Sequence, residues 1–426
     1  MKMKLTPLEK SWILYDVGNS AFYLLISSLI PLFFGELVTA AGMDVSQVTL
    51  TYWPYTTSIS TILIVIISPL CGALADQKGF KKPIFLTCIL VGIFGCMAMS
   101  LTGSWMAYLV FFIIANVGIN ASCAFYDSML PEVTDKDRID KVSAMGYAYG
   151  YIGSMIPFVV CLVFYLLYYA FEVISLETSM FCIFALTAVW WLICTIPLLR
   201  RYKQSAYVER KDHPLRSSLS DLKATVIHAA KHPNIGIYLL AFFFFINGVY
   251  TIIGQATTYG TALGLNAVSM LIALLVTQLV ACVFSVLFGR LSEKMPSGRL
   301  MKISILCYTG ITAFATFLVS EWQFWMLAVM VGMFQGGIQA LSRAYLGKII
   351  PAERSGSYYG LMDICGRSAT ALGGFLVGTV NTLMAGTSAN VFGITLTSAN
   401  FSVASLIVLF LLGFALFCKA DKLNKT

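Results

Sequence analysis

Long apolar segments recur along the whole chain and are separated by short polar connections. Each segment is 20 to 28 residues long, and about twenty residues are enough for a helix to cross the roughly 30 Å hydrocarbon core of a bilayer. Twelve segments of this kind can be placed, and each predicts a membrane-spanning helix. They lie near residues 12–35, 50–75, 83–102, 105–129, 143–170, 178–199, 235–259, 267–291, 301–320, 322–347, 357–384 and 396–418.

The composition supports a membrane fold and argues against a soluble one. Of the 426 residues, 58% are hydrophobic and 11% are charged, whereas soluble domains carry roughly 25% charged residues. A surface with so few charges would not remain dissolved in water. The sequence therefore predicts an all-α membrane protein with twelve transmembrane helices, and we do not expect an enzyme.

The positive charges are distributed asymmetrically between the connections. The 28 Lys and Arg residues fall in the even-numbered connections, at the termini or in adjoining helices, whereas the odd-numbered connections carry only acids such as Glu36, Glu172 and Glu321. Basic connections are retained on the cytoplasmic side of a membrane. We therefore predict a multi-pass plasma-membrane protein with both termini cytoplasmic. This membrane-facing distribution also accounts for the net charge of +8 without a nucleic-acid partner.

The chain contains an internal repeat. The connection after helix 2 reads GALADQKGFKK from Gly72, and the connection after helix 8 reads GRLSEKMPSGR from Gly289, 217 residues later. In transporters, such repeats place the substrate pathway between two pseudo-symmetric halves that rock in alternating access. We predict a six-helix N-terminal half at 1–199, a basic cytoplasmic linker at 200–234 and a six-helix C-terminal half at 235–426.

These motifs resemble those of the major facilitator superfamily. Gly72, Asp76, Gly79, Lys81 and Lys82 resemble its signature between helices 2 and 3, and the resemblance implies a gating role for them. The helix 1 sequence WILYDVGNSAFYLLISSLIPLFF and the helix 10 sequence GMFQGGIQALSRAYLGKIIP are similar to the vacuole effluxer-like branch. That resemblance implies the facilitator fold, a monomer and transport of amino acids.

Two opposite charges are predicted to lie on one face of helix 11. An ionisable group in hydrocarbon costs several kcal/mol unless it is paired or hydrated. Arg367 lies roughly 14 Å from the cytoplasmic start of the helix, and Asp363 is one turn away. We predict that Arg367 binds an anionic group of the solute, or is released from Asp363 when a proton or another cation binds. A static structural pair is the alternative.

Other polar side chains in the helices extend the predicted site. Gln335, Gln339 and Arg343 recur at four-residue spacing on helix 10, so they form a stripe that must face protein or water rather than lipid. Gating roles are predicted for Arg343 and Asp127 together with the signature residues. Substrate contacts are predicted for Tyr15, Asp16, Asn19, Asn247, Gln255, Gln278, Gln335, Gln339, Asp363 and Arg367.

The sequence predicts a secondary transporter of a small polar solute. An amino acid, a related zwitterion or an organic anion is favoured, with a proton or sodium ion as coupling partner and membrane lipids as surroundings. A cation-coupled sugar symporter is an alternative. It would carry more acidic residues at mid-membrane depth in helices 1, 2 and 4 than this chain has, so it is less favoured. A lipid flippase is left open by the basic linker. We expect no cofactor and no metal site, because the three histidines all lie in the linker.

Overall fold

The chain is mainly helical. A computed structural model describes residues 4–210, 214–262, 267–391 and 394–424. The helices are α1 (Pro7–Ser27), α2 (Leu29–Ala40), α3 (Val45–Ala75), α4 (Lys81–Ser100), α5 (Trp105–Ser128), α6 (Leu130–Val133), α7 (Ile139–Tyr169), α8 (Leu176–Arg201), α9 (Pro214–Lys231), α10 (Pro233–Ala262), α11 (Ala267–Leu291), α12 (Ser297–Thr316), α13 (Glu321–Ile349), α14 (Ser355–Leu383) and α15 (Ser398–Leu423). Strands β1 (Ala389–Val391) and β2 (Ile394–Leu396) form an antiparallel pair before α15.

Helices occupy all twelve predicted membrane-spanning positions, which confirms the all-α fold. Among the described residues, nine helices are long and apolar enough to cross a bilayer. The number becomes ten if α1 and α2, which meet at a 41° bend, form one broken span. Helices α12 and α14 fill the other two predicted positions with 20 and 29 residues, each enough to span roughly 30 Å.

Hydropathy does not predict two polar helical segments. The first apolar segment begins near residue 12, but α1 begins at Pro7 because Thr6 and Glu9 form a capping box. The Thr6 hydroxyl accepts from the Glu9 N–H at 3.1 Å, and the Glu9 carboxylate accepts from the Thr6 N–H at 2.7 Å. The linker contains a second such segment, α9. Local capping and amphipathic packing can form a helix without the continuous apolar run that a span requires.

The contacts divide the chain into two compact units. Unit 1 comprises Met1–Thr134, Tyr149–Leu222 and Ala352–Gly360, and unit 2 comprises Asp135–Ala148, Lys223–Pro351 and Leu361–Thr426. The first turns of α7 therefore belong to unit 2, and the first residues of α14 belong to unit 1. The division of the chain at residues 199 and 235 stays a prediction.

Glycines allow the helices of unit 1 to cross closely. A Cβ atom at Gly118 of α5 would lie 2.4 Å from the backbone nitrogen of Gly92 in α4. A Cβ atom at Gly18 of α1 would lie 2.7 Å from the Cβ of Cys194 in α8. Helices that approach this closely in a membrane gain van der Waals packing that a larger residue would prevent. These crossings hold α1 against α8 and α4 against α5.

Alanine at Gly373 is expected to lower the stability of unit 2. Its Cβ would lie 1.8 Å from Oγ1 and 2.9 Å from Cβ of Thr251 in α10, and only the hydroxyl can rotate away. Overpacking of this kind costs about 1–3 kcal/mol. We expect Gly373→Ala to lower the apparent Tm of the detergent-purified protein.

The neighbouring Gly374 provides a matched control. A Cβ there has no atom within 4 Å, and alanine is favoured over glycine inside a helix by about 1 kcal/mol. Gly374→Ala should therefore preserve or raise the apparent Tm. Equal losses for the two variants would contradict the close crossing of α10 and α14.

Candidate functional site

Arg367 and Asp363 form an ion pair on α14. The Nε of Arg367 lies 3.0 Å from each carboxylate oxygen of Asp363. The residues are one helical turn apart, so the pair forms within a single helix. Their side chains are 21% and 19% exposed, respectively. The pair is therefore partly exposed, and both its role in solute binding and the alternative of a static structural pair stay predictions.

Asn247 joins α10 to α14 at the Gly373 crossing. Its Oδ1 accepts from the backbone N–H of Gly373 at 3.1 Å, and its Nδ2 donates to the carbonyl of Phe243 at 3.0 Å. Its side chain is fully buried. Both polar ends of the amide are thus used in helix packing, and a substrate contact for Asn247 stays a prediction.

The four predicted glutamines of unit 2 occupy different environments. Gln278 of α11 and Gln335 of α13 line one cavity of about 50 Å³. A cavity of this volume holds a few water molecules and is too small for an amino acid. Gln339 is half-buried, and Gln255 is exposed on α10. The structure therefore brings Gln278 and Gln335 together, while the roles of all four stay predictions.

Polar side chains of α1 and α5 meet in unit 1. The hydroxyl of Tyr126 donates to the Asp16 carboxylate at 3.0 Å. Tyr15 and Ser122 share a hydrogen bond of 2.7 Å between their hydroxyls. Tyr15 is fully buried and Asp16 is 8% exposed. These two predicted site residues are thus held in a largely buried polar contact between α1 and α5.

A hydrogen-bonded track continues this contact toward the other end of α1. Tyr15, Asn19 and Tyr23 follow one another at four-residue spacing on one face of the helix. Each contacts α5, and α5 in turn contacts α3. The contacts beyond Tyr15 are Asn19 Nδ2 to Cys123 Sγ at 3.6 Å, Tyr23 Oη to Asn120 Oδ1 at 2.7 Å, Asn120 Nδ2 to Asn116 Oδ1 at 2.7 Å and Asn116 Nδ2 to Ser60 Oγ at 2.7 Å.

Asp76 binds the first turn of α14. Its carboxylate accepts from the backbone N–H of Gly356 at 2.6 Å, from that of Ser357 at 2.9 Å and from the Ser357 hydroxyl at 2.6 Å. An anion at a helix N-terminus satisfies unpaired N–H groups and opposes the helix dipole. A Cβ at Gly72 would lie 2.4 Å from the Gly356 carbonyl oxygen, so only glycine fits there. Gly79 turns the chain at a φ of 81°.

Lys81 forms a sealed ion pair with Glu132 of α6. Its Nζ lies 2.7 Å from Oε1 of Glu132 and 2.8 Å from the hydroxyl of Ser355. The two charged side chains are 0% and 1% exposed. Burial alone would raise the pKa of Glu132, but Lys81 and the backbone N–H groups of Ala206 and Ser205 outweigh it and lower the pKa. Glu132 therefore stays ionised beside Lys81.

The start of the linker covers this ion pair. We call residues 202–208 the linker strap. The Tyr202 hydroxyl donates to Glu132 Oε1 at 2.8 Å, and the backbone N–H groups of Ser205 and Ala206 donate to Oε2 at 2.6 and 3.0 Å. Burial and Glu132 raise the pKa of Tyr202, so its hydroxyl remains a donor. Glu132 thus joins α4 to the strap, and its partner Lys81 contacts the start of α14 through Ser355.

Arg343 holds the first turns of α7 in unit 2. Its Nε donates to the Ser143 hydroxyl and its Nη2 to the Ser143 carbonyl, both at 3.0 Å. Its guanidinium lies 4.5 Å from the centre of the Tyr147 ring, and its side chain is 2% exposed.

Of the other predicted gating residues, Lys82 is exposed and Asp127 is half-buried near the end of α5.

Comparison with known proteins identifies the family. The sequence model described as "Vacuole effluxer Atg22 like" matches residues 8–421, which is nearly the whole chain. The chain belongs to this family. It is 34% identical over 417 residues to the uncharacterized MFS-type transporter YxiO of Bacillus subtilis, covering 97% of this chain and 94% of that protein. The predicted resemblance to the vacuole effluxer-like branch is confirmed.

More distant relatives support the same assignment. Autophagy-related protein 22 of Coccidioides immitis is 21% identical over 427 residues, covering 81% of this Atg22-like chain and 69% of that protein. The human organic anion transporter MFSD10 has a TM-score of 0.69 at 14% identity, covering 96% and 98% of the two chains. The structural likeness confirms the major facilitator fold, and the relative from Bacillus subtilis supports an MFS-type transporter rather than an enzyme.

Sequence reasoning on this Atg22-like chain misses several residues of the site. Glu132 gives no local signal, because its partners Lys81, Tyr202 and Ser205 come from distant segments. Tyr23 could have been found, since it continues the four-residue spacing of Tyr15 and Asn19 on one face of α1. Ser60 lies in an apolar run and shows no pattern that distinguishes it.

The contact of Asp76 with α14 is expected to depend on pH. Burial raises the pKa of Asp76 from 3.8 to about 6, against the opposing effects of Lys81 and of the hydrogen bonds from Ser357 and Gly356. Between these pH values the packed state binds more protons than a state with Asp76 in water. The stability of the contact is therefore lost as pH rises through this window and gained as it falls.

Hydrogen exchange of residues 352–360 measures this effect. After correction for the intrinsic exchange rate, lowering the pH from about 7 to about 5 should slow the amides of Gly356 and Ser357 by roughly tenfold. Asp76→Asn, which cannot titrate, should remove the pH dependence. Faster corrected exchange at low pH, or the same pH dependence in Asp76→Asn, would contradict the role assigned to the carboxylate.

Proposed function

We propose that this chain is a secondary active transporter of small zwitterions, amino acids first, that works by alternating access. The observation that carries the proposal is the partly exposed pair of Arg367 and Asp363 on α14. It offers one positive and one negative group, 3.0 Å apart, to a molecule that reaches the helix. The proposal includes a plasma-membrane location with both termini cytoplasmic, and the basic connections support that orientation.

The chemistry of the pair suits a zwitterion. A guanidinium is a planar fork of N–H donors that can bind a carboxylate through two parallel hydrogen bonds. An amino acid would place its carboxylate on Arg367 and its ammonium on Asp363. It would replace one internal ion pair with two external ones, so neither charge would be left unpaired in the membrane. A sugar offers no charge to either partner.

Coupling follows from the same pair. A proton or sodium ion that neutralised Asp363 would release the guanidinium for an anionic solute. An organic anion without an ammonium would therefore need such a cation, whereas a zwitterion carries its own.

Ligand stabilisation of the detergent-purified protein tests the proposed solute class. The panel contains amino acids, organic acids, sugars, nucleosides and lysolipids. A ligand that binds only the folded protein stabilises it by about 2.7 kcal/mol at a concentration of 100 Kd. We expect amino acids to raise the apparent Tm of the wild type and not that of Arg367→Ala. Stabilisation by lysolipids alone would contradict the proposed solute class and favour a lipid flippase. Stabilisation by sugars alone would favour a cation-coupled sugar symporter.

A further inference from the structure

Helix α9 of the linker has one face packed against the protein. Ser218, Thr225 and Ala229 are 3%, 1% and 6% exposed, and they recur at the spacing of one helical face. The end of the helix is held closely to the next one, since a Cβ at Gly236 of α10 would lie 2.6 Å from the Ala229 carbonyl oxygen. These residues define the buried face of α9.

A second face of α9 carries large aliphatic side chains that the protein does not cover. Leu219, Val226 and Ile227 are 60%, 47% and 44% exposed. Lys223 is also exposed and lies within the same stripe, four residues after Leu219 and three before Val226. Fully covering an aliphatic side chain of this size stabilises a protein by about 1.5–3 kcal/mol. An apolar stripe with a cation at its centre is typical of a helix at the boundary between lipid headgroups and acyl chains.

The position of α9 in the chain places it beside a membrane span. It ends at Lys231, and α10, which is long and apolar enough to cross a bilayer, begins at Pro233. Only one residue separates the two helices, so the end of α9 lies at the level where a span begins. A helix that runs along the membrane surface from this point would bring its exposed aliphatic side chains into the same bilayer.

The net positive charge of the linker favours anionic lipids. Residues 200–234 contain eight Lys and Arg residues and three acids. Basic residues at a membrane surface are attracted to anionic headgroups by about 1 kcal/mol each. We infer that the exposed face of α9, formed by Leu219, Lys223, Val226 and Ile227, is a binding surface for anionic phospholipid of the adjoining leaflet. This surface does not depend on which solute the protein carries.

Photocrosslinking from single positions of α9 tests the binding surface. The full chain, carrying benzoylphenylalanine at Val226 or at Ala224, is reconstituted in vesicles of phosphatidylcholine and phosphatidylglycerol. Both positions are exposed, but they point about 160° apart around the helix. We expect phosphatidylglycerol adducts at Val226 to exceed those at Ala224 by roughly fivefold. Equal yields, or adducts between two copies of the chain in place of lipid adducts, would overturn the inference.

Charge substitutions test the selection of anionic lipid. Lys223→Gln and Ala224→Glu change the net charge by the same amount, but only Lys223 lies in the apolar stripe. Lys223→Gln should lower the phosphatidylglycerol adducts at Val226 by roughly fivefold, the factor for one charge at a membrane surface. Ala224→Glu should leave them nearly unchanged. A loss of the same size in both variants, or no loss in Lys223→Gln, would refute recognition of the headgroup by Lys223.

Discussion

Replacing Arg367 with alanine is expected to abolish solute transport and to leave the fold intact. A guanidinium bound to a carboxylate through two charge-assisted hydrogen bonds contributes about 3 kcal/mol, so the loss should be about 100-fold. The side chain is only partly covered, so its removal creates no sealed cavity. Transport by the purified protein in sealed vesicles measures the effect, and size-exclusion chromatography with the apparent Tm reports the fold.

Two conservative substitutions test the two members of the pair separately. Arg367→Lys keeps the charge but loses the planar fork, so transport should fall by about tenfold. Asp363→Asn removes the partner for the ammonium group of the solute. Transport of zwitterions should therefore be lost, whereas transport of organic anions without an ammonium should be retained. Full transport in Arg367→Ala, or a loss that follows a fall in apparent Tm, would reduce the pair to a structural role.

Replacing Glu132 with glutamine is expected to have the largest effect on stability. It would leave the ammonium of Lys81 buried without a counter-charge, because both side chains are sealed from solvent. Removing one member of a buried ion pair costs about 3–5 kcal/mol. The hydrogen bonds from the linker strap would also weaken, since they now end on a full carboxylate. The apparent Tm in detergent should fall markedly.

The pair of Lys78 and Glu209 is the control for this prediction. Lys78 lies in the connection between α3 and α4, and its Nζ is 3.6 Å from Oε1 of Glu209 in the linker. The two side chains are 55% and 76% exposed. Exposed ion pairs are screened by solvent and contribute little, so Glu209→Gln should leave the apparent Tm nearly unchanged. The double variant with Lys81→Met and Glu132→Gln should recover part of the lost stability, because it buries no unpaired charge. Equal falls for Glu132→Gln and Glu209→Gln would contradict the sealed pair.

The spans could be predicted from sequence because one physical requirement dominates them. A bilayer demands about twenty apolar residues for each crossing, and the helices occupy every position that this rule selects. The rule ignores helices formed for other reasons. The start of α1 depends on the cap made by Thr6 and Glu9. Helix α9 depends on two faces of different polarity, and this difference disappears when hydropathy is averaged along the sequence.

The candidate site could be predicted only where it is local in sequence. Asp363 and Arg367 are one helical turn apart, so their spacing alone predicts the pair. Asp76 can be predicted through its resemblance to a known signature, but its partners on α14 are 280 and 281 residues away and cannot. Glu132 combines contacts from two distant segments, α4 and the linker strap, and has no such signature. Its importance follows from packing, which a single sequence does not reveal.

Exchange of amino acids across sealed vesicles tests the central claim most directly. Vesicles containing the purified protein are loaded with an unlabelled amino acid that stabilises it and then receive the labelled form outside. The proposed function predicts that labelled amino acid rises rapidly above its external concentration in loaded vesicles containing the wild type. It predicts no rise above the external concentration in empty vesicles or in those containing Arg367→Ala. Accumulation that is independent of loading, or equal exchange by Arg367→Ala, would contradict a transporter that binds its solute through the pair on α14.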